Sequence, residues 1–562
     1  MIKVIKYYYT IKNLKFIQVF YRFKYIIKRK LYEKQGMTFF KNLERKFENQ
    51  VISISNDSKF VINDRRYYLY DLNTVLDNKI TFLNYEIDFG KNIDWHKDEL
   101  NQGTRLWKLS LNYHEFLFDL ALKFKQTKEK KHLDYIEYTV IEWFNQNPLG
   151  TKGYGKDNWN SYAISLRLIS WIKMYILVGK EFSSEFKSFF LKLLWIQTVF
   201  LSENLELDIL GNHLIKNWKA LIWGKHFFKT TRFDKPIKIT EKYVYPQFSE
   251  KGMHEEYSPM YAGIVLEDLM EVFLFQPNNK KLKSLINKLF ENIRILSNKN
   301  QYLFFNDTTN NNGIQFDQLN DFYSKIFDIK KNDYDTMFNI NGFVGFKTEK
   351  EHIVFDCAKV VGGNQPGHVQ CDALSFEYFL KGKKIFTNSG MFEYNSGRKR
   401  TYSRSSESHN VLKYDVFDQS EVWGSFRMAR QAKVDYKIFY LKCEKMDIEG
   451  VVRGFDFANN ISHKRRMIKE KSKLIIKDTL IANTNKKSNL FFHLNPDLGF
   501  QENNIIEKKT KKTIAKFKLS HRFKIDNTEF YPEFGICENK ETLVLYDIKP
   551  NEEVTTEFIF NE

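Results

Sequence analysis

The sequence predicts an α+β protein of several domains, with helices in its first half and antiparallel strands in its second. Three observations support this fold class. Its 562 residues are enough for two to four domains. Long segments between about residues 40 and 330 carry apolar residues at helical spacing, whereas short alternating runs dominate from about Gly342 onward. The polar stretch 330–335 is the predicted hinge between the two halves.

The helical half is predicted from repeated amphipathic or wholly apolar segments with short polar connections. The clearest examples are residues 113–122, 161–172, 186–201 and 260–275. Helices that follow one another at such short intervals suggest stacked helical hairpins.

The second half is predicted to be an antiparallel β domain. Its strand-like runs include residues 343–347, 352–355, 474–478 and 542–546, each bounded by turn-forming residues.

Composition excludes several classes of protein. Hydrophobic residues make up 43% of the chain and aromatic residues 16%, which is too much apolar material for a disordered protein. The four cysteines stand at positions 357, 371, 443 and 537. They are too few for a disulfide scaffold, and none forms the CxxC pair of a zinc knuckle.

The formal net charge of +19 indicates an anionic partner, namely a nucleic acid, an anionic lipid or an acidic polysaccharide. A compositional bias toward lysine is the alternative explanation. The sequence has no zinc-finger pattern and no recognisable RNP motif, so we predict no nucleic-acid partner. No membrane-spanning helix is expected, because no run of about 18 apolar residues is found.

Residues 1–35 form a basic segment with interleaved tyrosine, phenylalanine and isoleucine. It contains ten lysines and arginines. It lacks the apolar h-region and the cleavage site of a secretory signal. One interpretation is an amphipathic helix in peripheral contact with an anionic membrane; the other is a helix packed on its domain with its cations in water. The expected location is cytoplasmic or peripheral at the inner membrane face, and a periplasmic location stays open.

Four polar clusters at the ends of predicted elements could carry chemistry. The cluster at 211–217 has Asn212 and His213 at a helix start, where free N–H groups can hold an anion, or where Asn212 simply caps the helix. The cluster at 252–261 places Tyr261 in the first turn of a helix that begins at Ser258 and Pro259. There the positive helix end can lower a phenol pKa, although an ordinary amphipathic tyrosine fits the pattern equally well.

The other two clusters lie in the β half. In residues 366–376, His368 sits on a glycine-bearing loop before an apolar strand, facing either a cleft or structural partners. Residues 398–410 are dense in cations and hydroxyls, which suits either an anionic ligand or a solvated loop.

Taken in order, these segments resemble the heparinase II/III family of polysaccharide lyases, and also certain alginate lyases. Residues 159–171 resemble the family's W-x-x-Y-x-x-S-L-R-x-x-x-W segment, and Asn212-His213 resembles its Asn-His pair. Residues 254–261 resemble H-x-E-x-S-P-x-Y, and residues 367–377 resemble G-H-x-x-A-D-x-L-S-F-E. Residues 408–410 and 418–424 resemble A-H-N and D-x-S-E-x-W-G.

The resemblance implies an N-terminal incomplete (α/α) toroid and a C-terminal antiparallel β-sandwich domain, with an acidic polymer bound between them. On this basis the expected domains are the basic segment 1–35, the toroid 36–335 and the β-sandwich 340–562. The implied activity is cleavage of a uronate-containing polysaccharide by β-elimination, in the metabolism of a capsule, O-antigen or exopolysaccharide.

β-Elimination requires a group that neutralises the uronate carboxylate, a base for the C5 proton and an acid for the 4-O leaving group. By resemblance, Asn212 and His213 would meet the carboxylate, and Tyr261 and His368 would be the acid/base pair. Tyr402 would be a second phenol. The stereochemistry at C5, which decides the proton acceptor, is open. The implied substrate-binding residues are Trp159, Arg167, His254, Glu256, Arg404 and His409.

The sequence departs from the family pattern at several positions. Relatives often carry a glutamate where Lys216 stands here. Some relatives bind zinc through positions that here are Gln370, Asn388 and His409. Because two of these three are amides, which are poor zinc ligands, we predict no bound zinc and no cofactor.

Two other functions are compatible with the sequence. A catalytically silent protein that binds acidic polysaccharide would keep the charge and lose elimination. A glycoside hydrolase on the same scaffold would need two carboxylates about 5–10 Å apart, for which Glu255, Glu256 and Asp372 are candidates.

Overall fold

The computed structural model describes residues 2–44, 72–96, 105–327, 336–360, 364, 366–457 and 459–561. The chain forms two compact units. A helical unit comprises residues 15–247 and 265–284, and a sheet-rich unit comprises residues 1–14, 248–264 and 285–562. The predicted hinge 330–335 lies outside the described residues, and the predicted domain bounds stay a prediction.

The described helices precede most of the strands, as the predicted fold class requires. In chain order they are α1 (Ile2–Lys12), α2 (Phe16–Gln35), α3 (Met37–Glu44), α4 (Leu72–Leu76), α5 (Arg105–Tyr113), α6 (Glu115–Thr127), α7 (Lys131–Gln146), α8 (Ser161–Val178), α9 (Ser184–Glu203), α10 (Gly211–Phe227), α11 (Asp234–Val244), α12 (Pro259–Phe275), α13 (Lys280–Ile295), α14 (Phe316–Ile326) and α15 (Arg398–Arg404). The predicted helical segments 161–172, 186–201 and 260–275 lie within α8, α9 and α12, so these predictions are confirmed.

The predicted helix over residues 113–122 is wrong as a single element. The structure ends α5 at Tyr113 and begins α6 at Glu115, because His114 takes a left-handed φ of 55°. The buried His114 ring packs against Trp95, Trp143 and Trp171 with centroid distances of 5.2–5.4 Å. This aromatic packing holds the turn, and an apolar pattern alone does not reveal it.

Helix α8 is, within the described residues, long and apolar enough to cross a membrane by length and composition alone. Asn160 caps it, its side chain accepting the N–H groups of Tyr162 and Ala163. About 72% of the 18-residue window is buried in the protein. Burial to this extent is typical of a helix in the core of a protein.

A buried ion cluster joins α8, α10 and α12 inside the helical unit. Asp268 accepts from Lys216 at 2.7 Å and from Lys219 at 2.9 Å. Glu271 lies 3.0 Å from both Lys219 and Lys173. Lys216, where relatives often carry glutamate, is therefore an internal counter-ion of Asp268. Buried charges are tolerated only when they are paired in this way.

We expect Asp268→Asn to destabilise the helical unit by about 3–5 kcal/mol, because the carboxylate shared by two buried ammonium groups is lost. Urea and thermal unfolding followed by circular dichroism measure this change. The matched control is Asp134→Asn on α7, whose pair with Lys130 is exposed and should contribute no more than about 0.5 kcal/mol. Equal stability of the two variants would contradict the expectation.

The sheet-rich unit is antiparallel throughout its paired strands. The described strands are β1 (Lys79–Phe82) and β2 (Tyr85–Asp88), which form a hairpin in the helical unit, and then β3 (Ser297–Asn298), β4 (Gln301–Tyr302), β5 (Thr336–Ile340), β6 (Phe343–Lys347), β7 (Glu351–Asp356), β8 (Phe376–Leu380), β9 (Lys383–Phe386), β10 (Leu412–Tyr414), β11 (Val422–Trp423), β12 (Arg427–Met428), β13 (Lys433–Lys442), β14 (Lys445–Arg453), β15 (Ser462–Glu470), β16 (Lys473–Ile481), β17 (Ser488–His493), β18 (Leu498–Gln501), β19 (Asn504–Glu507), β20 (Thr513–Leu519), β21 (Phe523–Phe530), β22 (Glu538–Ile548) and β23 (Glu553–Phe560). The predicted runs 343–347, 352–355, 474–478 and 542–546 all lie in strands, and the predicted fold class is confirmed.

Three sheets in this unit share one hydrophobic core. Their strand orders are β5-β6-β7-β8-β9, β10-β17-β22-β21 and β13-β14-β15-β16-β23-β20-β19-β18. Strands β14 to β16 alternate buried and less buried residues along their length, so one face of the large sheet points to the core. Phe355, Ile476 and Leu545, one from each sheet, are fully buried in it.

Candidate active site

Tyr261 lies in the first turn of α12, as the sequence predicts. Helix α12 begins at Pro259, and the Ser258 hydroxyl accepts the N–H of Tyr261 at 3.2 Å. The same hydroxyl donates to the carbonyl oxygen of Asp307 at 2.7 Å. The cap of α12 is thus tied to the segment that carries Asp307.

The Tyr261 hydroxyl lies 2.6 Å from the hydroxyl of Tyr394. Burial, reinforced by the Asp307 carboxylate, raises the pKa of Tyr394 well above its usual value. Tyr394 therefore stays protonated and can donate its hydrogen to the Tyr261 oxygen. The two hydroxyl groups share one hydrogen bond, in which either oxygen can accept.

His368 stacks on the Tyr261 ring, with centroids 3.8 Å apart and planes inclined by 26°. It lies on the loop before β8, as predicted. Its Nδ1 is 3.0 Å from Oδ2 of Asp307, and the backbone N–H of Asp307 donates to the His368 carbonyl at 2.9 Å. An ionised carboxylate accepts only, so Nδ1 carries the hydrogen and Nε2 is the nitrogen that exchanges a proton.

Asp307 is the centre of this group. Both guanidinium nitrogens of Arg400 reach its carboxylate, at 2.6 and 2.8 Å, and Nε2 of Gln370 donates to it at 2.8 Å. Burial by itself would raise the pKa of Asp307. Arg400 and the hydrogen bond from His368 outweigh this effect and hold the pKa below its usual value of 3.8. The carboxylate is therefore ionised and fixed.

His254 and Glu256, two predicted substrate-binding residues, are buried just before α12. Nδ1 of His254 lies 3.9 Å from Oε2 of Glu256, and its ring packs against Phe248. Burial lowers the pKa of His254, and the nearby Glu256 partly opposes this effect. Substrate binding by this pair stays a prediction.

The cation-rich segment 398–410 folds as α15 and a short 3-10 helix. Arg404 is buried and donates to the carbonyl groups of five residues, Pro366, Val369, Gly424, Ser425 and Arg427. Burial lowers the pKa of Arg404 to about 9. Through these contacts Arg404 holds the loop of His368 in place. The predicted role of Arg404 toward an anionic substrate stays a prediction.

Tyr402 and His409 are also buried or nearly so in the sheet-rich unit. The Tyr402 hydroxyl lies 3.4 Å from that of Ser389, and burial raises the pKa of Tyr402 to about 12. Burial, with Lys540 nearby, lowers the pKa of His409 to about 3, so its imidazole is neutral. The Tyr261 hydroxyl contacts the hydroxyl of Tyr394. The role of Tyr402 as a second phenol stays a prediction.

Asn212 and His213 lie in the first turn of α10, in the helical unit. The helix begins at Gly211, but the N-cap is Leu210 rather than Asn212. His213 remains partly exposed: its Nδ1 is 2.9 Å from Oε1 of Glu206, and its ring packs on Tyr162 at 4.4 Å. The Glu206 carboxylate orients the imidazole at the N-terminus of α10, and the role of Asn212 and His213 toward a substrate carboxylate stays a prediction.

Trp159 and Arg167, predicted to bind substrate, are buried in the helical unit. Trp159 donates its indole N–H to the carbonyl of Asn147 at 2.9 Å. Arg167 donates to Gln197, Asn112 and Asn158, and its guanidinium lies 4.1 Å from the Trp143 ring. These are the contacts of core residues, and the substrate-binding assignment stays a prediction.

The positions that hold zinc in some relatives do not fit a metal here. Gln370 donates to Asp307, and the Oδ1 atom of Asn388 accepts the Ser375 hydroxyl at 2.6 Å. Amides engaged in this way are poor zinc ligands. Among the described residues no group of three or more histidine, cysteine and carboxylate side chains could hold an ion.

The residue pattern does not identify Asp307, Tyr394 and Arg400 as members of the site. Arg400 lies in a cluster that the sequence singles out, but its neighbour Arg404 looks the same in sequence. Asp307 follows the apolar residues 302–305 and opens a polar stretch, which indicates only a strand end or a loop. Their roles follow from contacts across 61 to 133 positions of the chain.

Comparison with known proteins identifies similar sequences and folds. The model described as "Heparinase II/III N-terminus" matches residues 4–330, and "Heparinase II/III-like, C-terminal" matches residues 331–557. A crystal structure of heparinase III is 16% identical, with a TM-score of 0.70, and the match covers 92% of this chain and 86% of that one. No curated protein sequence matches significantly.

Two further solved structures share the fold. The heparan sulfate lyase HepC mutant from Pedobacter heparinus is 16% identical, has a TM-score of 0.56, and the match covers 92% of this chain and 84% of that one. The chondroitin AC lyase of Streptomyces coelicolor A3, in complex with chondroitin sulphate, is 7% identical, with a TM-score of 0.55 and coverages of 93% and 83%.

Proposed function

The chain belongs to the heparinase II/III family and is a polysaccharide lyase, and we propose that it cleaves a uronate-containing polysaccharide by β-elimination at Tyr261 and His368. The observation that carries this proposal is the contact series Tyr394–Tyr261–His368–Asp307. It supplies a phenol that is hydrogen-bonded to a second phenol, and an imidazole whose tautomer is set by a carboxylate. Both are groups that elimination needs.

In the proposed reaction, a base removes the C5 proton and an acid delivers a proton to the 4-O leaving group, which leaves a C4–C5 double bond. For one C5 epimer, the Tyr261 phenolate takes the proton and the resulting phenol returns it to O4. For the other epimer, Nε2 of His368 takes the C5 proton and Tyr261 protonates O4. Asp307 stabilises the imidazolium that forms.

The substrate carboxylate must be neutralised because its charge opposes loss of the neighbouring proton. We assign this task to Asn212 and His213, following the family resemblance. Support comes from their place at the N-terminus of α10, where backbone N–H groups and the helix dipole favour an anion. The chain's net charge of +19 would further attract a polyanion.

The test of this function is the absorbance of the unsaturated uronate product. Purified protein is incubated with heparan sulfate, chondroitin sulfate, hyaluronan, alginate and the source organism's own envelope polysaccharide. We expect absorbance to rise with at least one polymer and not in Tyr261→Phe. Release of reducing ends without absorbance would instead identify a hydrolase using carboxylates such as Asp372. Binding without any product would identify a silent binding protein.

We further propose that the natural substrate is an acidic polymer of the cell's own envelope, such as a capsule, O-antigen or exopolysaccharide. The basic segment 1–35 supports this proposal because it suits a protein held near a membrane where such polymers are handled. We expect a kcat/KM at least tenfold higher on the cell's own polymer than on heparan sulfate. The reverse order would contradict the assignment.

A further inference from the structure

Helix α2 turns an apolar face outward. Phe16, Phe20, Phe23, Ile27 and Leu31 follow one another at intervals of four, three, four and four residues, which places them on one side of the helix. Each of the five is between 50% and 82% exposed. A contiguous exposed stripe of this size marks an interaction surface rather than scattered surface residues.

The opposite, more polar side of α2 packs on the helical unit. Gln18 donates to the carbonyl of Ile209 at 3.1 Å, and the Tyr25 hydroxyl donates to the carbonyl of Leu205. The Tyr32 hydroxyl donates to Glu203 at 3.4 Å. An ordinary surface helix buries its apolar side. Here the orientation is reversed, so packing within the described structure does not account for the apolar stripe. The helix packs on its unit, as one of the two sequence interpretations has it, and contact with a membrane stays a prediction.

Helix α1 independently shows the same reversal within the sheet-rich unit. Val4, Tyr8 and Ile11, also spaced by four and three residues, are 55–70% exposed. Polar residues in its last turn and just after it contact the unit instead. Thr10 accepts the indole N–H of Trp423 at 3.1 Å, and Asn13 donates to the carbonyl of Ala429 at 3.0 Å. Two helices in different units thus expose apolar residues to their surroundings.

The charge of residues 1–35 indicates what kind of partner binds the stripe. Residues 1–35 carry ten basic residues against the single acidic residue Glu33. Of these cations, Lys24, Lys30 and Lys34 are exposed on α2 on the same side as the stripe or beside it. Aromatic and aliphatic residues bordered by lysine are typical of helices that lie in the interface of an anionic bilayer. A second copy of the chain would fit this stripe poorly, because the cations of the two copies would repel one another.

We propose that α2, with its stripe Phe16, Phe20, Phe23, Ile27 and Leu31, docks the protein on an anionic phospholipid membrane. The 20 residues of α2 form a helix about 30 Å long, which can lie flat with the stripe among the acyl chains and the lysines at the headgroups. This places the lyase peripherally at a membrane surface, and it rests on no feature of the active site.

The test is co-sedimentation of the full-length protein with vesicles. One set contains phosphatidylcholine with 30 mol% phosphatidylglycerol, and the other contains phosphatidylcholine alone. We expect the wild type to bind the anionic vesicles at least tenfold more strongly. The triple variant Phe20→Gln, Phe23→Gln, Ile27→Gln should lose this binding at least tenfold, and Lys30→Gln with Lys34→Gln should lose the preference for anionic lipid.

The matched control is Val416→Gln, Phe439→Gln, Tyr440→Gln, which changes three exposed hydrophobic residues in the sheet-rich unit. It should bind vesicles like the wild type. Circular dichroism and lyase activity on a soluble polymer check that each variant is folded. Wild-type protein that ignores both vesicle sets, or a triple variant that binds like the control, would overturn the proposal. A dimer formed by the wild type but not by the triple variant would also overturn the proposal, since the stripe would then be a self-association surface.

Discussion

Tyr261→Phe is expected to lower kcat by about 10²–10⁴-fold while leaving the affinity for polysaccharide nearly unchanged. The substitution removes only the hydroxyl that exchanges the proton, and the ring keeps its stack on His368. Initial rates of product absorbance give kcat, and binding of the same polymer to the variant gives Kd. A loss of affinity equal to the loss of rate would contradict a role confined to the transition state.

Two phenol variants separate chemistry from packing. Tyr394→Phe should lower kcat less than Tyr261→Phe, because it removes the hydrogen-bond partner of the Tyr261 hydroxyl and leaves that hydroxyl in place. Tyr135→Phe removes a comparable hydrogen bond, to Asn78 in the helical unit, and should leave kcat unchanged. Activity of Tyr261→Phe at the level of this control would exclude Tyr261 as the acid/base.

Asp307→Asn is expected to lower kcat by about 10²–10⁴-fold and to destabilise the sheet-rich unit by about 3–5 kcal/mol. Both effects follow from one carboxylate. It fixes the His368 tautomer, and it neutralises the buried guanidinium of Arg400. Activity assays at a temperature where circular dichroism shows the variant to be folded separate the two losses. The control is Glu529→Gln. It removes the carboxylate that pairs with the exposed guanidinium of Arg398, and it should change neither quantity greatly.

The same carboxylate predicts how stability depends on pH. The pKa of Asp307 is lower in the folded protein than its usual 3.8, so the folded state favours the ionised form. Its contribution is fully present above the unfolded-state pKa and is lost as pH falls from about 4 through the lowered folded-state pKa. The stability difference between wild type and Asp307→Asn should therefore be constant above pH 5 and shrink below pH 4. Urea unfolding measured between pH 3 and 7 checks this, and a constant difference would contradict it.

The sequence by itself determined the order of helices and strands, because periods of 3.6 and 2 are local properties of the chain. It also determined the helix start at Ser258 and Pro259, which places Tyr261 in the first turn of α12 through a local cap. The loop position of His368 follows in the same way from glycine and proline followed by an apolar strand. These features depend on neighbours within a few residues.

Only the tertiary structure decided which side chains meet. Arg400 and Arg404 lie one turn apart on α15, yet the first neutralises Asp307 and the second clamps backbone carbonyls. Tyr394 reaches Tyr261 from 133 positions away in the chain, because the loop that carries Tyr394 folds onto the first turn of α12. Likewise, the amphipathic pattern of α2 shows that the helix has two faces, but packing on the helical unit decides that the apolar one points outward. Contacts between residues far apart in the chain carry no local periodicity, so the pattern of residues could not specify them.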